Sequence, residues 1–178
     1  MENTSEQRLI AQATAGDIAA FEAILAPLIG PAHRFACALL QDPNLAEDAV
    51  QEASVRAWRK LSRLRPGRPI QPWFLGIVAN QCRDQVRSRW WQVIRMPQPR
   101  VGTFQAPQDE ALRRAALREA LLSLHDRERQ VLILRVYLDL PWSEVAAVSG
   151  LTEAGARTSY YRGIDRLRLL YQSPEVVA

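Results

Sequence analysis

The stretch from Asn44 to Lys60, NLAEDAVQEASVRAWRK, is the best-formed helix in the chain, and the rest of the sequence must supply a core for it. Val50, Ala53, Ala57 and Leu61 recur at helical spacing and make one apolar stripe. Asn44 is the expected N-cap, with Glu47 three residues later completing a capping box. Glu47, Asp48 and Glu52 gather toward the start and Arg56, Arg59 and Lys60 toward the end, so the side-chain charges complement the helix dipole. This local physics accounts for a stable helix on a core. It leaves one exposed face carrying Asp48, Gln51, Glu52 and Arg56 together, which on composition alone is an ordinary solvated surface.

Breakers divide the remaining chain into further helices. Ser5 to Ala15 reads as a helix ended by Gly16, and Asp17 caps a second one striped by Ile18, Phe21, Leu25 and Leu28. Gly30-Pro31 is expected to interrupt that helix before Ala32 to Leu40 resumes, and Asp42-Pro43-Asn44 is the expected turn into the next. After Leu64 the segment RPGRPIQP cannot be regular helix, because Pro66, Pro69 and Pro72 remove donors. Pro72 suits the first turn of a helix running from Trp73 to about Trp90. From Trp91 to Gln108 periodicity is lost among Pro97, Pro99, Gly102 and Pro107, and the stretch reads as a linker. Asp109 to Leu122 is the next helix, with Leu112, Ala115, Ala116, Leu121 and Leu122 apolar. Asp126 is expected to cap the one after it, buried along Val131, Leu134 and Leu138. A short helix, a turn at Gly150, a cap at Thr152 and a long helix with Ala156, Tyr160, Ile164, Leu167 and Tyr171 inward then spell a helix-turn-helix. The expected fold class is all-α: two small helical domains joined by a flexible linker, the second a helix-turn-helix. The boundaries fall at 1–90, 91–108 for the linker, 109–172 and a tail at 173–178.

Composition narrows the function classes. The net charge of +4 hides a polarity: Met1 to Ser54 holds eight acids and two bases, whereas Val55 to Arg100 holds eleven bases and one acid, Asp84. Arginines interleaved with Trp58, Trp73, Trp90 and Trp91 form an electrostatic footprint for nucleic acid, although a membrane surface or an acidic partner could use the same charge. The longest apolar runs, such as Phe35 to Leu40, are too short to cross a bilayer, and MENTSEQ lacks a basic stretch followed by an apolar one, so a cytoplasmic protein without membrane insertion is expected. Cys37 and Cys82 read as small buried hydrophobes, and His33 and His125 stand isolated, so neither a metal site nor a cofactor is expected. With no nucleophile-base pair and no phosphate-binding glycine loop, the chain does not read as an enzyme.

Four segments resemble one family, the first being GDIAAFE, Gly16 to Glu22, which resembles the start of its first conserved domain. LAEDAVQEASVRAW is similar to the polymerase-docking helix of bacterial sigma factors of the extracytoplasmic-function (ECF) type, matching at Glu47, Asp48, Val50, Gln51, Glu52, Ala57 and Trp58. Ala53 and Ser54 replace bulkier residues usual there. WFLGIVANQCRDQVRSR resembles the stretch W-L-x-x-I-A-x-N-x-x-x-D-x-x-R through Trp73, Leu75, Ile77, Ala79, Asn80, Asp84 and Arg87. Ser123 to Leu169 resembles the family's second conserved domain, with departures at Pro141, Gly155 and Ser159. The resemblance covers roughly Gly16 to Arg89 and Asp109 to Leu169.

That resemblance implies a sigma factor that binds core RNA polymerase, recognises promoter DNA through two elements and opens the duplex, with room for an anti-sigma factor as a further partner. Asp48, Gln51, Glu52 and Arg56 would dock on polymerase. Arg68, Trp73, Asn80, Arg83 and Arg87 would hold the downstream (minus-ten) element, Asn80 contacting an unpaired base and the arginines phosphates. Trp73 would wedge or stack, and a place in the core is its competing role. Thr152, Arg157, Thr158, Tyr161 and Arg162 would face the upstream (minus-thirty-five) element, since a recognition helix reads bases chiefly with its first turns. The linker would thread through polymerase rather than act as a passive tether. The competing reading is a stand-alone helix-turn-helix transcriptional regulator whose first domain senses a ligand.

Overall fold

The computed structural model describes the backbone of residues 2–93 and 108–172, and the side chains of residues 5–86 and 116–169. Most of the expected linker, and the tail, therefore lie outside the described residues. Among those described there are eight α-helices and no strand: α1 (Glu2–Thr14), α2 (Ile18–Leu40), α3 (Pro43–Lys60), α4 (Ile70–Val93), α5 (Gln108–Ser123), α6 (Asp126–Leu132), α7 (Trp142–Ser149) and α8 (Glu153–Gln172). A short 3-10 turn, Leu61–Arg63, follows α3, and a π-helical segment, Ile133–Tyr137, extends α6.

α3 lies between α2 and α4. Its stripe is buried as the periodicity requires, with Ala53 and Ala57 fully covered and Val50 and Leu61 nearly so. Alanines at these positions let the helices approach closely, while Phe35 and Phe74 from α2 and α4 fill the core with fully buried rings. Burying such a ring contributes about 1.5–3 kcal/mol in transfer free energy. The cap differs from expectation. Asp42, not Asn44, accepts the free N–H groups of Asn44 and Leu45, at 3.1 and 3.2 Å, and Pro43 occupies the first helical position. Proline there loses no intrahelical bond and arrives with its φ already set, so the helix starts one residue before the expected cap.

α2 also departs from the sequence reading. It runs unbroken through Pro27 and Pro31, capped by Asp17 and closed by Gln41 in the left-handed region at φ 56°. An internal proline removes one backbone bond and clashes with the preceding turn. Here burial of Phe21, Ile24, Leu25, Ala32, Phe35 and Ala36 against α1, α3 and α4 outweighs that cost. The unbroken helix is 23 residues and apolar enough to cross a membrane by length and composition, which corrects the expectation that no stretch could. Its buried residues, Phe35 among them, belong to the core of the first half.

The first half is closed by α1, which reaches sixty residues along the chain. Gln7 Oε1 accepts the Gly67 N–H at 3.3 Å and Glu6 Oε1 accepts that of Ile70 at 3.2 Å, so α1 pins the proline-rich loop between the 3-10 turn and α4. Gly67 sits at φ +77°, a conformation that side chains rarely adopt. α4 begins at Ile70 rather than at Trp73, and Pro72 is buried in its first turn.

In the second half α6, α7 and α8 pack around Val131, Leu134, Val145 and Ala156, all fully buried. Leu138 is only half-buried, Leu122 of α5 is exposed, and Ala120 of α5 and Leu124 just after it are buried. His125, not Asp126, occupies the N-cap of α6, and its N–H is received by Glu128. Gly150 turns the chain at φ 68° and Thr152 caps α8 by accepting the Gly155 N–H at 3.1 Å, which makes α7 and α8 a helix-turn-helix. α8 crosses α6 so closely at Gly163 that a Cβ there would stand 2.7 Å from Leu132 Cδ1. The two halves meet where α7 packs on α4, and Arg118 of α5 donates to the Gln41 carbonyl at 3.2 Å.

Candidate nucleic-acid interface

Three sets of residues stand out. The first is the outer face of α3. Asp48, Gln51 and Glu52 are exposed and Arg56 is half-buried, as expected from the stripe on the opposite side. Gln51 donates to Glu47 at 3.2 Å. Arg56 bonds Glu52 at 3.1 Å and reaches Asp84 of α4 at 3.6 Å, so this cation ties the face to the neighbouring helix. Each pair is solvent-exposed and contributes little stability. Their effect is to hold an ordered surface of alternating charge.

The second set surrounds a cleft of about 750 Å³. One wall is the end of α3 and the pinned loop, contributing Lys60, Arg63, Arg65 and Arg68, and the other is α4, contributing Trp73, Gly76, Ile77 and Asn80. Ser143, Glu144 and Ala147 of α7 close a third side. Burial pushes the Glu144 carboxyl above its ordinary range. Trp73 is half-buried: the indole packs on the core while also lining the cleft. Asn80 is exposed, and its carbonyl oxygen receives a short hydrogen bond from the Arg83 guanidinium, while the amide NH₂ donates no hydrogen bond to a described residue. Arg68, Trp73 and Asn80 are thus brought together at one cleft, with Arg83 attached through Asn80. The Arg87 side chain lies outside the described residues. Sequence reasoning left out Lys60 and Arg63, although the basic run through Arg59, Lys60, Arg63, Arg65 and Arg68 already marked one wall.

The third set lies on α8 and the start of α7. Thr152 is engaged as the cap, and the Thr158 hydroxyl donates to the Ala154 carbonyl at 2.9 Å. Tyr161 is 60% exposed and meets Tyr160 edge-on at 5.4 Å. Arg162 is exposed, with no ion-pair partner among the described residues. The Arg157 guanidinium lies over the Trp142 ring, 4.8 Å from its centroid. Trp142 was not anticipated as part of this surface. Nothing in the spacing of the chain pairs it with Arg157, which lies on the next helix. Among the described residues no three His, Cys, Asp or Glu side chains cluster as a metal site would require.

Comparison with known proteins gives this geometry a context. Residues 25–92 match the model for sigma-70 region 2, and residues 114–167 match that for sigma-70 region 4. The chain is 30% identical over 155 residues to the RNA polymerase sigma factor CarQ of Myxococcus xanthus, covering 85% of this chain and 88% of that one. It is 25% identical over 144 residues to the ECF sigma factor SigM of Bacillus subtilis, covering 78% and 87% of the two chains. Among solved structures, CnrH in complex with the cytosolic domain of CnrY superposes with a TM-score of 0.74 at 25% identity, over 96% of this chain and 99% of that one. The fold of the sigma factor RpoE from Bartonella quintana, solved with the anti-sigma factor NepR, is also shared, with a TM-score of 0.70 at 23% identity over 86% and 98% of the chains. The chain belongs to the sigma-70 family of RNA polymerase sigma factors, in its ECF type.

Proposed function

We propose that this sigma factor divides its work among the three surfaces: docking on core RNA polymerase through Asp48, Gln51, Glu52 and Arg56, minus-ten binding and melting at the cleft, and minus-thirty-five binding along α8. The observation that carries the reading is the cleft, where four cationic side chains surround an indole and a free amide. Such a site fits unpaired nucleic acid: cations follow the phosphates, an aromatic face accepts a base, and an amide satisfies a base edge. Extruding a base costs a few kcal/mol, which contacts of this kind can offset. With its carbonyl engaged by Arg83, Asn80 would act as donor toward a base acceptor. Arg68, Arg83 and Arg87 would pair with phosphates.

Thr152, Thr158, Tyr161 and Arg162 would meet the upstream element, Thr152 at the helix N-terminus where phosphate is favoured. Residues 91–108 would serve as the connector between the domains 1–90 and 109–172. The protein makes no covalent change itself, works in the cytoplasm with core polymerase and promoter DNA, and offers surfaces that an anti-sigma factor could cover. A gel-shift comparison with and without core polymerase tests the reading. Specific promoter binding is expected only with core present, and tight specific binding by the free protein would favour a stand-alone regulator.

A further inference from the structure

We infer that Trp142 is a positioning residue for upstream-element specificity: its indole holds the Arg157 guanidinium by the face so that the edge is presented to a base. The inference rests on the reading of α8 as the helix that faces the upstream element, and it concerns how one arginine there becomes selective.

Two guanidiniums lie over this indole, Arg157 at 4.8 Å and Arg135 at 5.3 Å from the ring centroid. Stacking uses the π face of a guanidinium and leaves its in-plane N–H groups available. The two arginines differ in what those groups do. Arg135 donates through Nη1 to the Leu140 carbonyl at 3.0 Å and to Asp139 at 3.4 Å, so one of its terminal nitrogens ties it to the turn that precedes α7. Arg157 is exposed and its edge makes no hydrogen bond or ion pair to a described residue. Of the pair, Arg157 is the one that lies exposed on α8 with every donor of the fork that matches O6 and N7 of a guanine free of a described partner.

The indole itself is fixed. Trp142 is half-buried against the core and meets Tyr160 edge-on at 5.4 Å, with an interplanar angle of 86°. A long arginine side chain loses rotamer freedom when it binds, and prior contact with a rigid ring removes part of that cost before DNA arrives. This matters in a recognition helix where Gly155 and Ser159 offer little side chain to a base. The expected contribution is a roughly two- to tenfold preference at the base pair that Arg157 reads, the size of the side-chain ordering cost that prior contact with the ring removes.

The test is holoenzyme selection from a promoter with a randomised upstream element, using wild type, Trp142→Leu, Trp142→Phe, Arg157→Ala and the Trp142→Leu/Arg157→Ala double variant, each checked by thermal melting. Trp142→Leu should relax preference at the same position as Arg157→Ala and leave the other positions unchanged. The double variant should relax it no further than Arg157→Ala alone, and Trp142→Phe, which keeps an aromatic face, should restore most of the preference. If Arg157→Ala changes the motif and Trp142→Leu does not, the positioning role is wrong while the reading of α8 stands. If Trp142→Leu weakens all positions alike, with a lowered melting temperature that Trp142→Phe repairs, the residue is structural only and the inference falls. If Arg157→Ala leaves the motif unchanged, the reading of α8 falls and the inference with it.

Discussion

Replacing Asp48 and Glu52 together by lysine should separate docking from folding. Both side chains are exposed on α3, whose buried stripe is untouched by the change. The structural cost can be bounded. Glu52 loses its bond to Arg56, 3.1 Å long between side chains 51% and 41% exposed, and such a pair is worth about 0–1 kcal/mol. The lysine introduced at position 52 would then face Arg56 at i,i+4, a repulsion of about 0.2–0.5 kcal/mol. Arg56 keeps Asp84 at 3.6 Å, which limits further loss. Position 48 lies beyond the first turn, where the helix dipole has little effect. The sum is about 1 kcal/mol against a typical stability of about 5–15 kcal/mol, so the double variant should fold and melt only a few degrees lower. Binding should respond much more strongly, because reversing two charges on a docking surface turns attraction into repulsion and slows encounter. We expect at least about a tenfold loss, or about 1.4 kcal/mol, in competition with labelled wild-type protein for core polymerase. An intact melting curve together with undiminished competition would refute the assignment of this face.

Asn80→Ala should reduce promoter opening more than closed-complex formation, and with permanganate footprints measured beside filter binding, an equal loss in both would count against a melting role. Thr152→Ala removes the cap of α8 and should destabilise the second half by about 1 kcal/mol, visible in urea unfolding; no change would mean that the 3.1 Å contact to Gly155 contributes nothing. Burial pushes the Cys82 thiol up from 9.0 to about 12, so above about pH 9 the unfolded chain ionises while the folded one does not. Stability assigned to Cys82 is therefore complete below that pH and declines as pH rises toward 12, by at most about 1.4 kcal/mol per unit. Urea midpoints should fall more steeply with alkaline pH in wild type than in Cys82→Ala, and parallel slopes would show that the thiol ionises freely in the native state.

Much of this was legible in the sequence because it rests on periodicity and on local chemistry. The stripe of α3, the helix-turn-helix and the caps at Asp17 and Thr152 follow from spacing and from side chains that satisfy free N–H groups. The misreadings arose where tertiary contacts decide. Gly30-Pro31 looked like a break, yet burial on three sides of α2 exceeds what two prolines cost. The cap of α3 was misread for a local reason: Asn44 had the better-known capping pattern, but Asp42 ahead of Pro43 starts the helix earlier by accepting the Asn44 and Leu45 N–H groups. The cleft was legible only in part: Arg68, Trp73 and Asn80 came from motif and composition, whereas the closure by Ser143, Glu144 and Ala147 depends on how α7 meets α4, which no local pattern encodes. The contact of Arg157 with Trp142 joins residues on two helices and is invisible to one-dimensional spacing.

Run-off transcription with purified core polymerase on a genomic fragment library tests the central claim most directly. Transcripts should appear only when this protein is added, and their start sites should share two upstream elements at a constant separation. Dependence on the protein should vanish for the Asp48→Lys/Glu52→Lys variant at concentrations where wild type is active. Specific DNA binding by the free protein without any stimulated transcript would contradict the account and leave the chain a regulator that does not act as part of the polymerase.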